Sequence, residues 1–478
     1  MKKSVQKIIL AVLLGFAGRM AAQYPLSGTY NVPGTYSTVG AAINALNIYG
    51  VLGPVVINVS AGYTETVTAG GYTLNNVVGS SSVNTITFQK SGAGVNPILY
   101  AFAGGANTPA SASQDGVWRF IGSDYITIDG IDITDPNTSN PSTMEFGYGF
   151  FKANVADGCQ FNTIKNCTIT LSTVNNTAGS GPAADGSRGI DVVNATTGAH
   201  TTNLTITSAN GANSNNKFYN NLIQKCNYGI SILGYADVSP FNNADNNNDI
   251  GGSSAATSNT IVNFGGGGTV ASSAVRTLAQ YNLNVSYNSI NNNTGSNTNH
   301  TGALRGIYVN SATSANVTIN NNTITVKGGG TTTQLSAIEN LSGATAANNT
   351  ITINNNQIVN CTYTTATSGV WYGIYNNGAS AANLSINGNT FNNNSTNATS
   401  GSYYNIYNTG AVTNSITITS NTISAVTFSA ASTSLTNYNI IYTGSSASAI
   451  VNINNNTLSG ISYVGATGGT GAWAGIYC

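Results

Sequence analysis

The sequence predicts an all-β chain: a right-handed parallel β-helix solenoid of about 34 residues per turn, with an N-terminal amphipathic helix as its cap. Three observations carry this. An Asn-x-hydrophobic triplet recurs as Asn221-Leu222-Ile223, Asn259-Thr260-Ile261, Asn288-Ser289-Ile290, Asn322-Thr323-Ile324, Asn356-Gln357-Ile358, Asn389-Thr390-Phe391, Asn421-Thr422-Ile423 and Asn456-Thr457-Leu458. The gaps are 38, 29, 34, 34, 33, 32 and 35 residues, a period that belongs to stacked units and not to globular lobes. Between triplets stands a second element, as in Gly189-Ile190, Gly229-Ile230, Gly306-Ile307, Ala337-Ile338, Gly373-Ile374, Asn405-Ile406, Asn439-Ile440 and Gly475-Ile476. Just before each triplet lies an alternating apolar/polar run, such as Val317-Thr318-Ile319, Ile351-Thr352-Ile353 and Ile416-Thr417-Ile418. Period-two alternation of β-branched residues marks half-buried strands, so each repeat holds three short strands and no helix. The twist of the strands favours a right-handed coil.

The elements follow in chain order. Residues 1–22 read as a signal peptide: Lys2, Lys3 and Lys7 precede the apolar run Ile8 to Ala17, and Ala21-Ala22 offers a cleavage site. Residues 23–114 form a cap and the first strands. Ser37 caps a helix running to about Asn47, with Val39, Ile43 and Leu46 on one face; Pro54 to Val59 and Val83 to Gln89 read as strands. A solenoid end exposes apolar core and unpaired edges, so it needs such a cover. Residues 115–250 are charged proximal turns, and 251–478 the regular Asn-ladder repeats. The next triplet is due a dozen residues beyond Cys478, so further domains are expected C-terminal to it.

The triplet asparagine stands two residues before an inward Ile, at a corner between strands. It is expected to point inward and to tolerate the left-handed backbone angles of the corner. With turns about 4.8 Å apart, its amide can donate to one neighbouring turn and accept from the other.

Composition narrows the function classes. Of 478 residues only 6% are charged, with 14 basic and 14 acidic side chains, while 41% are hydrophobic. So much apolar content folds, and zero net charge argues against nucleic acid and against docking on anionic lipid. No segment after the leader approaches the roughly 20 apolar residues of a membrane span. A secreted protein, extracellular or at the cell surface, is expected. The cysteines Cys159, Cys167, Cys226, Cys361 and Cys478 fit no metal-site spacing and read as buried small hydrophobes with at most one bridge.

Stretches such as Asn248-Asp249-Ile250-Gly251-Gly252 followed by Ser258-Asn259-Thr260-Ile261 resemble the carbohydrate-binding and sugar-hydrolase repeat of the pectin lyase-like right-handed parallel β-helix proteins, exported bacterial surface types included. Tyr36-Ser37-Thr38-Val39 through Ala42-Ile43, with Val55-Val56-Ile57-Asn58-Val59 and Gly62-Tyr63-Thr64-Glu65, is similar to that family's opening, in which a helix plugs the first turn. The resemblance covers residues 115 to 478 and implies the fold. It implies no single activity, since the family holds lyases, hydrolases, esterases, adhesins and passive spacers. The paired-Asp and Gly-His-Gly signatures of its polygalacturonase-like hydrolases are absent, as are Arg-x-Lys and the Gln-Asp-Thr and Asp-Phe-Ile-Phe-Gly stretches of its pectin esterases.

Charge sets where chemistry can sit. Residues 115–250 hold all 11 Asp, whereas 251–478 hold only Arg276, Arg305, Lys327 and Glu339 as charged groups. An acid–base site therefore belongs to the proximal turns. Asp185, Arg188 and Asp191, which bracket a strand start after the Gly-rich loop Gly179 to Gly186, are the candidate catalytic group, and a divergent lyase would be built around Lys152 or Arg188. Against this stands a solvated loop with one ion pair. Asp129 and Lys165 align one turn apart as an ion pair. Asp245, Asn247 and Asp249 alternate as calcium ligands would, but Ile250 and Ala256 stand where a calcium loop needs Gly and Glu. No other cofactor is expected. His200 and His300 read as surface residues.

The distal turns offer aromatic residues. Strict alternation places Tyr308, Tyr375, Tyr407 and Tyr477 outward after the Gly-Ile element, with Trp371, Tyr403 and Trp473 four residues upstream on the same face. Two aromatic columns of this kind would stack on sugar rings; the competing reading is that the Thr/Ser/Asn loops cover them. The leading reading is a non-enzymatic adhesin-like stalk binding a polysaccharide or cell-surface glycan. A polysaccharide lyase or glycoside hydrolase is second. Ice or crystal binding through Thr318, Thr352 and Thr417 comes last, because Ser385 and Asn452 interrupt that column.

Overall fold

A computed structural model describes residues 25–477 apart from 106, 138–143, 173–176, 267, 295–298, 311–314, 344–348, 379–380, 430–433, 436–437, 444–448 and 465–472. The chain is a parallel β-solenoid of about 11 turns, about 34 residues each, with almost no helix. Among the described residues three long parallel sheets hold 13, 14 and 12 strands. The 13-stranded sheet collects the alternating runs, the 14-stranded sheet the strands after the triplets, and the 12-stranded sheet the Gly-Ile elements. One turn shows the order: Val317–Asn320, then Thr323–Thr325, then Gln334–Asn340. Each strand pairs with its counterpart one repeat later, as Ile319 with Ile353, Ile324 with Ile358 and Ile338 with Ile374. These side chains are fully buried, so the core is a set of stacked Ile, Val and Phe columns. Apolar burial of roughly 1.5–3 kcal/mol per large side chain drives the coil.

The eight triplet asparagines stand in a row inside the rod. Each Nδ2 donates to the Oδ1 of the next, at 3.1, 2.9, 3.0, 3.0, 3.0, 3.0 and 2.9 Å from Asn221 to Asn456. The second amide hydrogen goes to a backbone carbonyl, as from Asn356 to Ile319 O at 2.8 Å. The left-handed conformation, however, belongs to the residue before the triplet: Asn220, Tyr287, Asn321, Asn355, Ser420 and Asn455 have φ between 49° and 61°, and Gly388 has 66°. At these seven corners the turn is made by an exposed or half-buried neighbour, which leaves the ladder amide free to face inward; Ser258, before Asn259, has φ −57° instead. Two shorter ladders accompany it, Asn162 to Asn216 (3.1 Å) and Asn340 to Asn376 to Asn408 (2.7 Å each).

The N-terminal helix α1 (Val39–Tyr49) closes the first turn and buries Val39, Ala42, Ile43, Ala45 and Leu46. Its N-cap is Thr38, one residue after the expected Ser37; the Thr38 hydroxyl accepts from Ala41 N at 3.0 Å. Asn47 blunts the outermost strand of the Gly-Ile sheet (Tyr72–Asn75). Its Nδ2 donates to Thr73 O (2.8 Å) and its Oδ1 accepts from Asn75 N (2.9 Å), as a neighbouring peptide group would. Cys159, Cys167, Cys226 and Cys361 are buried free thiols, each pushed up to about 12 by burial. The expected leader and Cys478 lie outside the described residues.

Candidate binding face

The outer face of the Gly-Ile sheet carries most of the molecule's unusual side chains. Its strands do not alternate strictly. In Val370–Asn376 both Gly373 and Ile374 point inward, and the same buried pair recurs at Gly229-Ile230, Gly306-Ile307, Ala337-Ile338 and Asn405-Ile406. A Cβ on Gly373 would meet Asn405 O at 2.5 Å and Phe391 at 2.6 Å; one on Gly189 would meet Ile223 at 2.4 Å. The small residue lets the strand bend over the neighbouring sheet's Ile or Phe, and the bend shifts the parity of everything upstream.

That shift corrects the expected aromatic columns. Trp371 and Tyr403 are 2% and 1% exposed and belong to the core, where their rings stack at 5.9 Å. Tyr372 and Tyr404 take the outward positions instead. They sit beside Tyr375 and Tyr407, which are outward as expected. The four rings form one nearly parallel cluster: centroids lie 4.3 Å apart for Tyr372–Tyr375, 4.2 Å for Tyr404–Tyr407, 5.4 Å for Tyr372–Tyr404 and 5.2 Å for Tyr375–Tyr407. Tyr477 is exposed and continues the Tyr407 register through Tyr442; the Trp473 backbone pairs with Tyr438, and its side chain lies outside the described set.

Below the tyrosines the same two columns turn polar. One runs Asp191, Ser231, Arg276, Tyr308, Glu339, Tyr375, Tyr407; the other runs Arg188, Tyr228, Ser273, Arg305, Ser336, Tyr372, Tyr404. Arg305 holds Glu339 at 2.5 Å, and its guanidinium lies 4.1 Å from the centre of the Tyr308 ring. Burial works against the Arg305 charge, but Glu339 outweighs it and holds Arg305 above its ordinary range. Gln334 and Ser336 donate to the same Glu339 oxygen at 2.6 and 3.3 Å.

At the proximal end the face is closed. Arg188 and Asp191 are fully buried and paired at 2.9 Å, with Arg188 also bound to Gly186 O (2.6 Å) and Gln114 Oε1. His200, expected at the surface, is buried with Nε2 3.3 Å from Asp191 and its ring edge-on to Phe151. Burial raises the Asp191 carboxyl, but Arg188 and His200 outweigh it and hold it below the usual range; burial lowers His200. His300 is likewise buried, on Gly265 O at 2.6 Å. Asp185 accepts from Gly179 N of its own loop at 2.8 Å and from the Tyr228 hydroxyl of the next turn at 3.4 Å. Lys152 lies elsewhere, buried against Gly211 O (2.6 Å) and Asp245 (3.5 Å). Among the described residues no ion pair or hydrogen bond joins Lys152 to Asp185, Arg188 or Asp191.

The calcium candidates point to different partners. Asp245 serves Lys152 and Asn213 N, Asn247 donates to Asn215, and Asp249 accepts from Tyr219, Gly252 N and Asn284. Among the described residues no three His, Cys, Asp or Glu stand together as metal ligands. Asp129 and Lys165 form the expected ion pair between turns at 3.0 Å. One carboxylate had no signal in the sequence: Asp124, which accepts from Gln160 N at 2.7 Å, is pushed up to about 7 by burial. It precedes Tyr125, whose ring stacks on Phe161 at 4.9 Å at a corner of the coil.

No family model matches the chain, and no curated protein matches it. Among solved structures it is similar to a lacto-N-biosidase (GH136) from Eubacterium ramulus, with TM-score 0.44 and 11% identity over 94% of this chain and 70% of that one. The native form of the same enzyme gives 0.47 and 10% over 88% and 64%. It is also similar to PfbA, a surface adhesin of Streptococcus pneumoniae, with TM-score 0.39 and 12% identity over 92% and 93%. No functional reading follows from likeness at this level. Among the described residues no helix is long and apolar enough to cross a membrane.

Proposed function

We propose that this chain is a non-catalytic, exported surface protein of adhesin type that holds a glycan on the tyrosine cluster of its Gly-Ile sheet. The observation that carries the reading is the outward, half-buried stack of Tyr372, Tyr375 and Tyr407 beside Tyr404. Neutral aromatic faces stack on the apolar faces of sugar rings, and their phenol groups reach sugar hydroxyls. Membership of the pectin lyase-like family, the leader at 1–22 and the division into cap, charged turns and ladder turns belong to the same proposal. Retention of the full chain on a glycan array tests it. Tyr375→Ala with Tyr407→Ala should reduce retention at least tenfold, while no product is released from any polysaccharide.

A hydrolase or lyase is the second reading. The four expected catalytic residues do not favour it, since Arg188, Asp191 and Lys152 are enclosed and Asp185 is held by its loop. Asp124 does: a carboxyl near 7 suits a general acid. Sugar release abolished by Asp124→Asn would establish this reading and end the first.

A further inference from the structure

The tyrosine cluster has a cationic neighbour with no assigned task. Arg276 is in register with Ser231 on one turn and Tyr308 on the next, and its guanidinium lies 5.4 Å from the centre of the Tyr228 ring. Among the described residues no carboxylate pairs with it, and its buried Nε makes no hydrogen bond. Arg305, one turn further, is by contrast fully engaged by Glu339.

A half-buried guanidinium without a carboxylate partner asks for an acceptor. Its planar fork suits a carboxylate or a sulfate ester, each able to accept several charge-assisted hydrogen bonds. Three turns separate Arg276 from Tyr375, about 14 Å at ~4.8 Å per turn. That is the span of a short oligosaccharide.

We propose that the ligand is a glycan with neutral rings over the tyrosines and a single anionic substituent, carboxylate or sulfate, held by the half-buried guanidinium of Arg276. This rests on the glycan-binding reading above and specifies its ligand. The test uses the full chain on an array of neutral oligosaccharides, each printed beside counterparts carrying one carboxylate or one sulfate ester. One anionic class should be retained about tenfold more tightly than its neutral counterpart, and the class favoured identifies the substituent. The preference should vanish in Arg276→Gln, survive largely in Arg276→Lys, and shrink as salt is raised. Neutral glycans should bind Arg276→Gln as they bind the parent chain, which also shows that the variant folds. Equal retention of neutral and anionic members, or a preference untouched by Arg276→Gln, overturns this inference and leaves the tyrosine reading standing. Absence of retention for every glycan overturns both.

Discussion

A ladder asparagine answers for several bonds at once. The Asn356 amide donates to Ile319 O and Asn389 Oδ1, while its own Oδ1 accepts from Asn322 N and Nδ2. Asn356→Ala strands these buried partners, at about 1–3 kcal/mol for each group left unsatisfied. It should lower the thermal midpoint and release hydrogen-exchange protection in the turns on either side; unchanged protection would mean the ladder is ornamental. Histidine burial gives a pH effect of definite sign. His200 is lowered below its ordinary value of about 6.5, so the unfolded chain takes up the proton first. Its contribution is intact above about pH 6.5 and is lost as pH falls below that. Asp191, also lowered, contributes above the ordinary carboxylate range and is lost only in stronger acid. From pH 7 to 5 the His200 contribution declines while that of Asp124, raised by burial, runs the other way; His200→Gln should therefore lose less stability, or gain more, over that window than the parent chain. The ladder was legible because each Asn stands at a fixed distance from an inward Ile. His200 was not, because it folds back from the loop after Arg188–Val193 onto Asp191 and meets Phe151 of the preceding turn, and no local pattern marks either contact.

Three strands per turn, with their inward Ile columns, follow from alternation alone. The exception is the Gly-Ile strand. Alternation there fails at Gly373-Ile374, and with it the outward placing of Trp371 and Tyr403. The signal was present, since Gly or Ala stands before the Ile in six of the eight elements and Asn405 and Asn439 in the other two, but reading it needs the neighbouring sheet's Ile223, Ile261 or Phe391 that fills the space. Gly189→Val should accordingly be among the most damaging changes in the chain, exceeding the roughly 1–3 kcal/mol of ordinary overpacking, because backbone as well as side chain is in the way. At the capped end, Asn47 stands in for a strand. Asn47→Ala should uncover the edge of Tyr72–Asn75 and promote self-association, visible as a concentration-dependent mass in light scattering. A variant that stays monomeric at all concentrations would show that α1 alone protects the edge.

Over the whole molecule the polar columns of one sheet face pass from an enclosed ion-pair cluster, Arg188–Asp191–His200, to a half-open Arg/Glu stretch and then to stacked tyrosines. Charge distribution along the sequence marked the proximal turns as the place for chemistry, yet folding closes that part and leaves the neutral distal part accessible. Ionisable residues here are mostly spent on one another. The most direct measurement of the account is glycan retention by the full chain beside Tyr375→Ala/Tyr407→Ala and a core control, Trp371→Phe. The account predicts retention by the parent chain and the core control, at least a tenfold loss in the tyrosine variant with its fold intact, and no released sugar. Undiminished retention by the tyrosine variant, or sugar release by the parent chain, would contradict it.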